Sequence, residues 1–287
     1  MTRKVKSMTI LLLAVASAFA DEGEETKKPK KDPYRVARRE VARIKSTIKH
    51  KGETKTLPLL DGPIYSYHET IRGWARGSTW AWGHPDRARP AALMNMSGAN
   101  TIYYEYASLS NDSFEITTGY DSPSFRPVEK GWAPKPIPTK MKPAESRVRR
   151  MAQIRSLSRK FTAHQTDFEN DDRENVLRML SSPIYRYKKD DAQSLDGAIF
   201  AFIREGDLEV ILTIEAEKTP TGPRWVFDCD RVAIFGQQVK FDGNEVWSTP
   251  AIGVSDATSS KNYFIFTRRP LPDEFKPATT NSSASIN

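Results

Sequence analysis

Four histidines, His50, His68, His84 and His164, and one cysteine, Cys229, are the residues readiest to act as metal donors, bases or nucleophiles. No two of the histidines stand in a His-x-His or His-x3-His pair, the spacing that brings two ligands together on one element, so neither a metal nor a cofactor is expected. Cys229 alternates with Trp225 and Phe227 and reads as a buried, inert thiol. Its neighbours Asp228 and Asp230 read as a solvated strand face. The acidic run 167–174 lacks the central glycine of a calcium loop. Ser46-Thr47-Ile48-Lys49 has the Ser-x-x-Lys spacing of serine acyltransferases without their partner motifs, and neither a Gly-x-Ser-x-Gly elbow nor a glycine-rich phosphate loop is present.

One constellation survives. The loop HETIRGWARGS (68–78) and the turn beyond its strand supply His68, Arg72, Trp74, Arg76 and His84. A large aromatic set among cations in a glycine-punctuated loop makes a binding surface. These five are the candidate ligand-binding residues, and no catalytic residue is assigned.

The elements that hold them come in two similar sets. At a constant offset Leu57 matches Leu177 and Leu60 matches Leu180, while Pro63-Ile64-Tyr65 matches Pro183-Ile184-Tyr185. Tyr67 then falls on Tyr187, Gly77 on Gly197 and Ala81 on Ala201, with Trp80 and Trp82 against Phe200 and Phe202. Residues matched in both copies read as structural, so the paired aromatics go to the core and the four tyrosines to its edge, with hydroxyls bonded locally. His68, Arg72, Trp74, Arg76 and His84 have no like residue in the second copy, which is what singles them out.

Periodicity predicts a basic amphipathic helix over 33–49, with Tyr34, Ala37, Val41, Ile44 and Ile48 in one stripe, and another over 143–161 through Val148, Met151, Ile154, Leu157 and Phe161. A short third helix is expected to start near Asp172, capped by Asp171 or Asp172, and to continue through Asn175–Leu180. Period-2 alternation predicts strands at 79–82, 91–96, 102–109, 114–117, 199–203, 208–216, 224–235 and 237–241. A hairpin is expected at Asp242-Gly243-Asn244 and a last strand at 262–267.

The resulting expectation is an α+β fold of two tandem duplicated units (33–121 and 143–270), each an amphipathic helix followed by an antiparallel meander, paired about a pseudo-two-fold. A Pro-rich linker (122–142) joins them, with Trp132 the residue there that docks. Residues 21–32 and 271–287 read as disordered spacer and tail. Residues 1–20, with Arg3, Lys4 and Lys6 ahead of an apolar run and Ala18-Phe19-Ala20, have the layout of a secretory signal cleaved after Ala20. No later segment is apolar enough over the roughly 20 residues a spanning helix needs.

The second unit carries Pro183–Tyr187, Asp196–Phe202 and Glu209–Ala216, and in these the chain resembles a group of uncharacterised exported proteins of planctomycete bacteria. The first unit departs from the pattern, with Arg76 where Asp196 stands. The resemblance implies export, to periplasm, envelope or beyond, and no activity. With a formal charge of +8 spread along the chain, an anionic envelope polymer or another envelope protein is the expected partner rather than nucleic acid. The expected function is non-catalytic binding or assembly. Two alternatives are a glycan-binding protein or hydrolase using the Trp74 loop, and a peripheral membrane protein attached through the basic helices.

Overall fold

The structure, a computed structural model, describes residues 35–68, 76–98, 101–117, 124–166, 174–253 and 262–270. The segments read from sequence as signal, spacer and tail and, within the candidate loop, Arg72 and Trp74 lie outside the described residues.

The architecture corrects the α+β expectation. Among the described residues it is built of seventeen strands and two helices, α1 (Arg35–Val41) and α2 (Arg147–Ser158). The predicted helix over 33–49 stops at Val41, and its second half is strand β1 (Lys45–His50). Ile44 and Ile48 fit a helical stripe, but Ser46 and Ile48 are buried while Lys45, Thr47 and Lys49 are exposed, which is period 2. The expected helix at Asn175–Leu180 is strand β10 (Glu174–Met179), where Leu177 is buried and Val176 is 73% exposed. Helix α2 forms as predicted in the middle. Ser146 caps it, and Met151, Ile154 and Leu157 reach the core, whereas Val148 faces solvent and Phe161 already belongs to strand β9 (Phe161–Thr166).

Strands β2 (Glu53–Thr56), β1 and β7 (Phe114–Thr117) make a small sheet in the order β2-β1-β7. Strands β3 (Tyr65–Tyr67), β4 (Arg76–Gly83), β5 (Pro90–Gly98) and β6 (Thr101–Ser108) form a meander, which β17 (Tyr263–Pro270) extends beside β6. The largest sheet contains β8 (Lys135–Pro136), β9, β10, β11 (Tyr185–Arg186), β12 (Ser194–Arg204), β13 (Asp207–Glu217), β14 (Arg224–Arg231), β15 (Gly236–Phe241) and β16 (Asn244–Thr249). Every pairing is antiparallel.

What the two similar stretches have in common is a strand scheme. Strand β1 pairs with β2 and β7, and β9 pairs with β10 and β15. Leu60 N–H donates to Ala81 O as Leu180 does to Ala201 O, and Ile64 to Thr79 as Ile184 to Ile199. The matched glycines have one job each. A Cβ on Gly77 would lie 2.0 Å from the Tyr67 ring, and one on Gly197 would lie 2.4 Å from that of Tyr187. Only glycine lets the tyrosine lie across the strand.

The β3–β6 sheet and the β12–β14 sheet pack on each other through Ala81, Leu93, Ala107 and Leu109 from the first, and Ile199, Ala201, Ile203, Ile211 and Val232 from the second. Their outer faces bury Trp80, Trp82, Tyr104 and Tyr106 on one side and Phe200, Phe202, Leu212 and Phe227 on the other. The tyrosines do not all bond locally. Tyr67 donates to Asp207 and Tyr65 donates to Gly206 O, across the layer between the sheets. Asp228 and Asp230, expected to be solvated, lie in that layer at 9% and 5% exposure. The Pro-rich segment is also no free linker. Phe125, Trp132 and Ile137 are all buried, and β8 pairs with β14.

Candidate functional site

The connections β4–β5 and β12–β13 hold matching places in the scheme, but they differ in build. The second closes in two residues, Glu205 and Gly206, at φ 54° and 107°. The first runs through six residues, His84-Pro-Asp-Arg-Ala-Arg89, before Pro90 resumes the pairing. That longer turn, the end of β1 and the β6–β7 connection wall a cleft of about 360 Å³, lined by His50, Lys51, His84, Asp86, Arg87, Arg89, Asp112, Trp132 and Gln193 among others. A volume of that order is enough for a small ligand.

Its floor is fixed by charge. Arg89 donates through Nε to Leu109 O (2.9 Å) and through a terminal nitrogen to Glu215 Oε2 (2.8 Å), and lies 3.6 Å above the Trp132 ring. Arg87 reaches the other oxygen of Glu215 at 3.5 Å and Asp191 at 3.4 Å. Tyr187 donates to Glu215 as well, and burial together with that carboxylate's charge pushes the tyrosine's pKa well up. Burial alone would raise Asp191. The N–H groups of Ala88, Gln193 and Ser194 and the charge of Arg87 outweigh it and hold the carboxyl below its usual range. The turn is therefore tied to the opposite sheet by buried, compensated charges.

The rim carries the groups with chemistry to spare. His84 Nδ1 accepts the Asp86 N–H at 3.1 Å, and its Nε2 is 2.6 Å from Asp112 Oδ2. A backbone N–H can only donate, so Nδ1 is the acceptor, and the proton sits on Nε2 and points at Asp112. Burial lowers the His84 pKa against the opposing pull of Asp112, which favours this neutral form. Burial would also raise Asp112, but the hydrogen bond from His84 and the interactions with both imidazoles leave it below the ordinary value. His50 sits between two carboxylates. Its Nε2 is 2.8 Å from Asp86 Oδ2, and its Nδ1 is 3.4 Å from Asp112 Oδ2, within ion-pair range but without a hydrogen-bonding partner. Lys51 bonds the same Asp86 oxygen, and the bonds from Lys51 and then His50 hold Asp86 at about 2. One donor atom from each of His50, His84 and Asp112 lies within 4.8 Å of the others.

Of the three described residues among the five singled out from sequence, His68, Arg76 and His84, the structure puts only His84 in this cleft. His68 is exposed and lines a separate cleft with Tyr65, Tyr67, Arg178 and Gly206. Arg76 opens β4 in register with Gly98. Sequence reasoning missed His50, Asp86, Arg87, Arg89 and Asp112. The usable signal was Lys51-Gly52, a two-residue turn at φ 52° and 83°, which marks a hairpin and so makes KSTIKH a strand ending at His50. Ser46, the nominal nucleophile of the Ser-x-x-Lys match, is buried and donates to Leu57 O. No family model, no curated protein and no solved structure matches the chain.

Proposed function

We propose that the chain is an exported bacterial binding protein of the cell envelope or its surroundings, and that its ligand sits in the cleft opened by the β4–β5 turn. The observation that carries the reading is the difference between matching turns, one closed in two residues and one opened into a charged cleft. Binding is preferred to catalysis because no described hydroxyl or thiol in the cleft is hydrogen-bonded to a base, and both nitrogens of His84 are engaged. Export rests on the signal layout of residues 1–20 and on the planctomycete resemblance. The glycan alternative rests on the Trp74 loop, which lies outside the described residues, and within the cleft one face of Trp132 is covered by Arg89. The membrane alternative loses part of its basic face. Arg147 donates to Tyr187 O and Lys188 O, and Arg150 donates to Ala144 O and pairs with Asp196. No helix among the described residues is long and apolar enough to cross a membrane.

A thermal-shift screen of the full chain against envelope polysaccharide fragments, anionic headgroups and divalent metals tests the reading. Gln193→Trp, an exposed rim position, plugs the cleft. A ligand at 100 times its dissociation constant adds about 2.7 kcal/mol of stability. One class should raise the melting temperature of the wild type and not of Gln193→Trp. A flat screen, or a shift that survives the plug, overturns the assignment.

A further inference from the structure

The groups at the rim of the cleft name a ligand class, and this inference rests on the binding reading above. Once Arg87 and Arg89 are balanced by Glu215 and Asp191, what remains facing the opening is two carboxylates, two imidazoles and one ammonium. Asp86 and Asp112 outnumber Lys51, so the rim attracts a cation. The carboxylates are reachable, at 41% and 37% side-chain exposure, while the imidazoles stand further in at 12% and 3%.

We propose that the cleft binds one divalent transition-metal ion of the zinc type through His50 Nδ1 and the carboxylate of Asp112, with Asp86 and His84 holding those two ligands in place. His50 Nδ1 is buried, and at 3.4 Å from Asp112 Oδ2 it makes a long ion-pair contact and no hydrogen bond of good geometry, so its lone pair can turn to a ligand. Its distance of 3.4 Å to Asp112 Oδ2 is the edge that a tetrahedral ion with bonds of about 2.0–2.1 Å imposes on neighbouring ligands. The other ring nitrogen of His50 faces the Asp86 carboxylate at 2.8 Å. A proton on Nε2 fixes the tautomer that frees Nδ1, which is the carboxylate–histidine–metal arrangement.

His84 takes a different part, and sequence or proximity alone would misassign it. Its Nδ1 is occupied by the Asp86 N–H, so its Nε2 keeps its proton and cannot coordinate. It donates to Asp112 at 2.6 Å and orients that carboxylate toward the ion. One imidazole and one carboxylate leave the remaining positions to water or a second ligand in the cleft. An imidazole donor selects a transition metal over Mg2+ or Ca2+, which take oxygen.

Isothermal titration of the full chain with Zn2+, with Mg2+ as control, tests the assignment, and the visible spectrum of the Co2+ form gives a second readout. One Zn2+ per chain should bind and Mg2+ should not. His50→Ala, His50→Gln and Asp112→Asn should each abolish the heat and the Co2+ bands while the metal-free circular dichroism stays unchanged. His84→Gln should weaken Zn2+ about 10–100-fold, the range for an outer-shell partner, without abolishing it. Absence of Zn2+ binding in the wild type overturns the proposal, as does wild-type affinity in His50→Gln. Complete loss in His84→Gln overturns the division of roles. If Zn2+ fails but another screened ligand stabilises the wild type and not Gln193→Trp, the metal falls and the binding reading stands. If Zn2+ binds through His50 and Asp112 in Gln193→Trp as well, the metal stands and the cleft as a ligand pocket falls.

Discussion

The β4–β5 and β12–β13 turns occupy matching positions, and both reach across to the other sheet, but by different means. The long turn sends Arg87 and Arg89 to Glu215 and takes Asp191 on the Ala88 N–H. The short turn receives hydroxyls, from Tyr65 on Gly206 O and from Tyr67 on Asp207, with Asn95 donating to Asp207 at 2.9 Å. One is fastened by buried charge and the other by backbone fit and neutral donors. A two-residue turn has no spare residues to shape a cleft. Six residues do, but a turn that long frays unless something pins it, and the pinning charges bring polar chemistry to the same place.

The largest effect expected from this contrast is at Arg89. Arg89→Met keeps an unbranched stem and removes the guanidinium that lies over Trp132, leaving Glu215 at 2% side-chain exposure with only the longer contact to Arg87 and the Tyr187 hydroxyl. Breaking one side of a buried pair costs about 3–5 kcal/mol, to be read from the urea midpoint. A loss below about 1 kcal/mol would mean that the long turn is not held by charge at all.

Next in size is a pH effect from the same layer. Burial pushes Asp228 up to about 6 against the N–H bonds from Ala133 and Cys229, and it pushes Asp230 well above the carboxylate range, helped by the charge of Asp228. A carboxyl raised in the folded state binds more protons than in the unfolded chain. Its stabilising contribution is therefore complete below the unfolded value near 3.8 and is lost as pH rises through about 6. The loss for Asp228 is on the order of 2–3 kcal/mol. Stability measured by urea should fall between pH 4 and 7, and Asp230→Asn, which removes one member of the pair, should flatten the slope. A profile that rises with pH over this window contradicts the burial of the pair as protonated acids.

How much of this could be read in the sequence follows from the period of each segment. All eight strands expected from alternation are present, because residues such as Trp80 and Trp82 or Phe200 and Phe202 can face one way only in a strand. Segments whose apolar residues fit both periods are ambiguous: Ile44 and Ile48 satisfy a helix, and Ser46, a small polar residue, hides the alternation. Setting matched residues aside removed the four tyrosines, of which Tyr65 and Tyr67 bond across to Gly206 and Asp207, and kept His84, which lines the cleft. It could not find the rest of the cleft. Asp112 sits in a connection and His50 ends a strand whose preceding residues, through Lys49, also fit a helical stripe, and pairing of β1 with β7 brings the two together. The buried polar layer was illegible for a similar reason. Alternation shows which residues share a face, but not that Asp228 and Asp230 would be covered by a second sheet.

The smaller effects probe the glycines. Gly197→Ala and Gly77→Ala each force a methyl into a tyrosine ring, and overpacking of this kind costs about 1–3 kcal/mol. The two should be alike if the matched positions do the same structural work. An unequal pair would expose the one place where the schemes diverge within the core.

The finest distinction is between the turns themselves. Gly206 sits at φ 107°, where a side chain is strained, and an added Cβ would also lie 3.4 Å from the Tyr67 ring. Gly206→Ala should cost about 1 kcal/mol or somewhat more, because the two-residue turn has no other way to close. Pro85→Ala in the long turn removes a ring from a partly exposed position that bears no pinning charge, and it should change stability by less than about 0.5 kcal/mol. A thermal midpoint series on the two variants decides the point. If Pro85→Ala proves as costly as Gly206→Ala, then backbone fit rather than charge sets the long turn, and the cleft owes its shape to Pro85 instead of to Arg87 and Arg89.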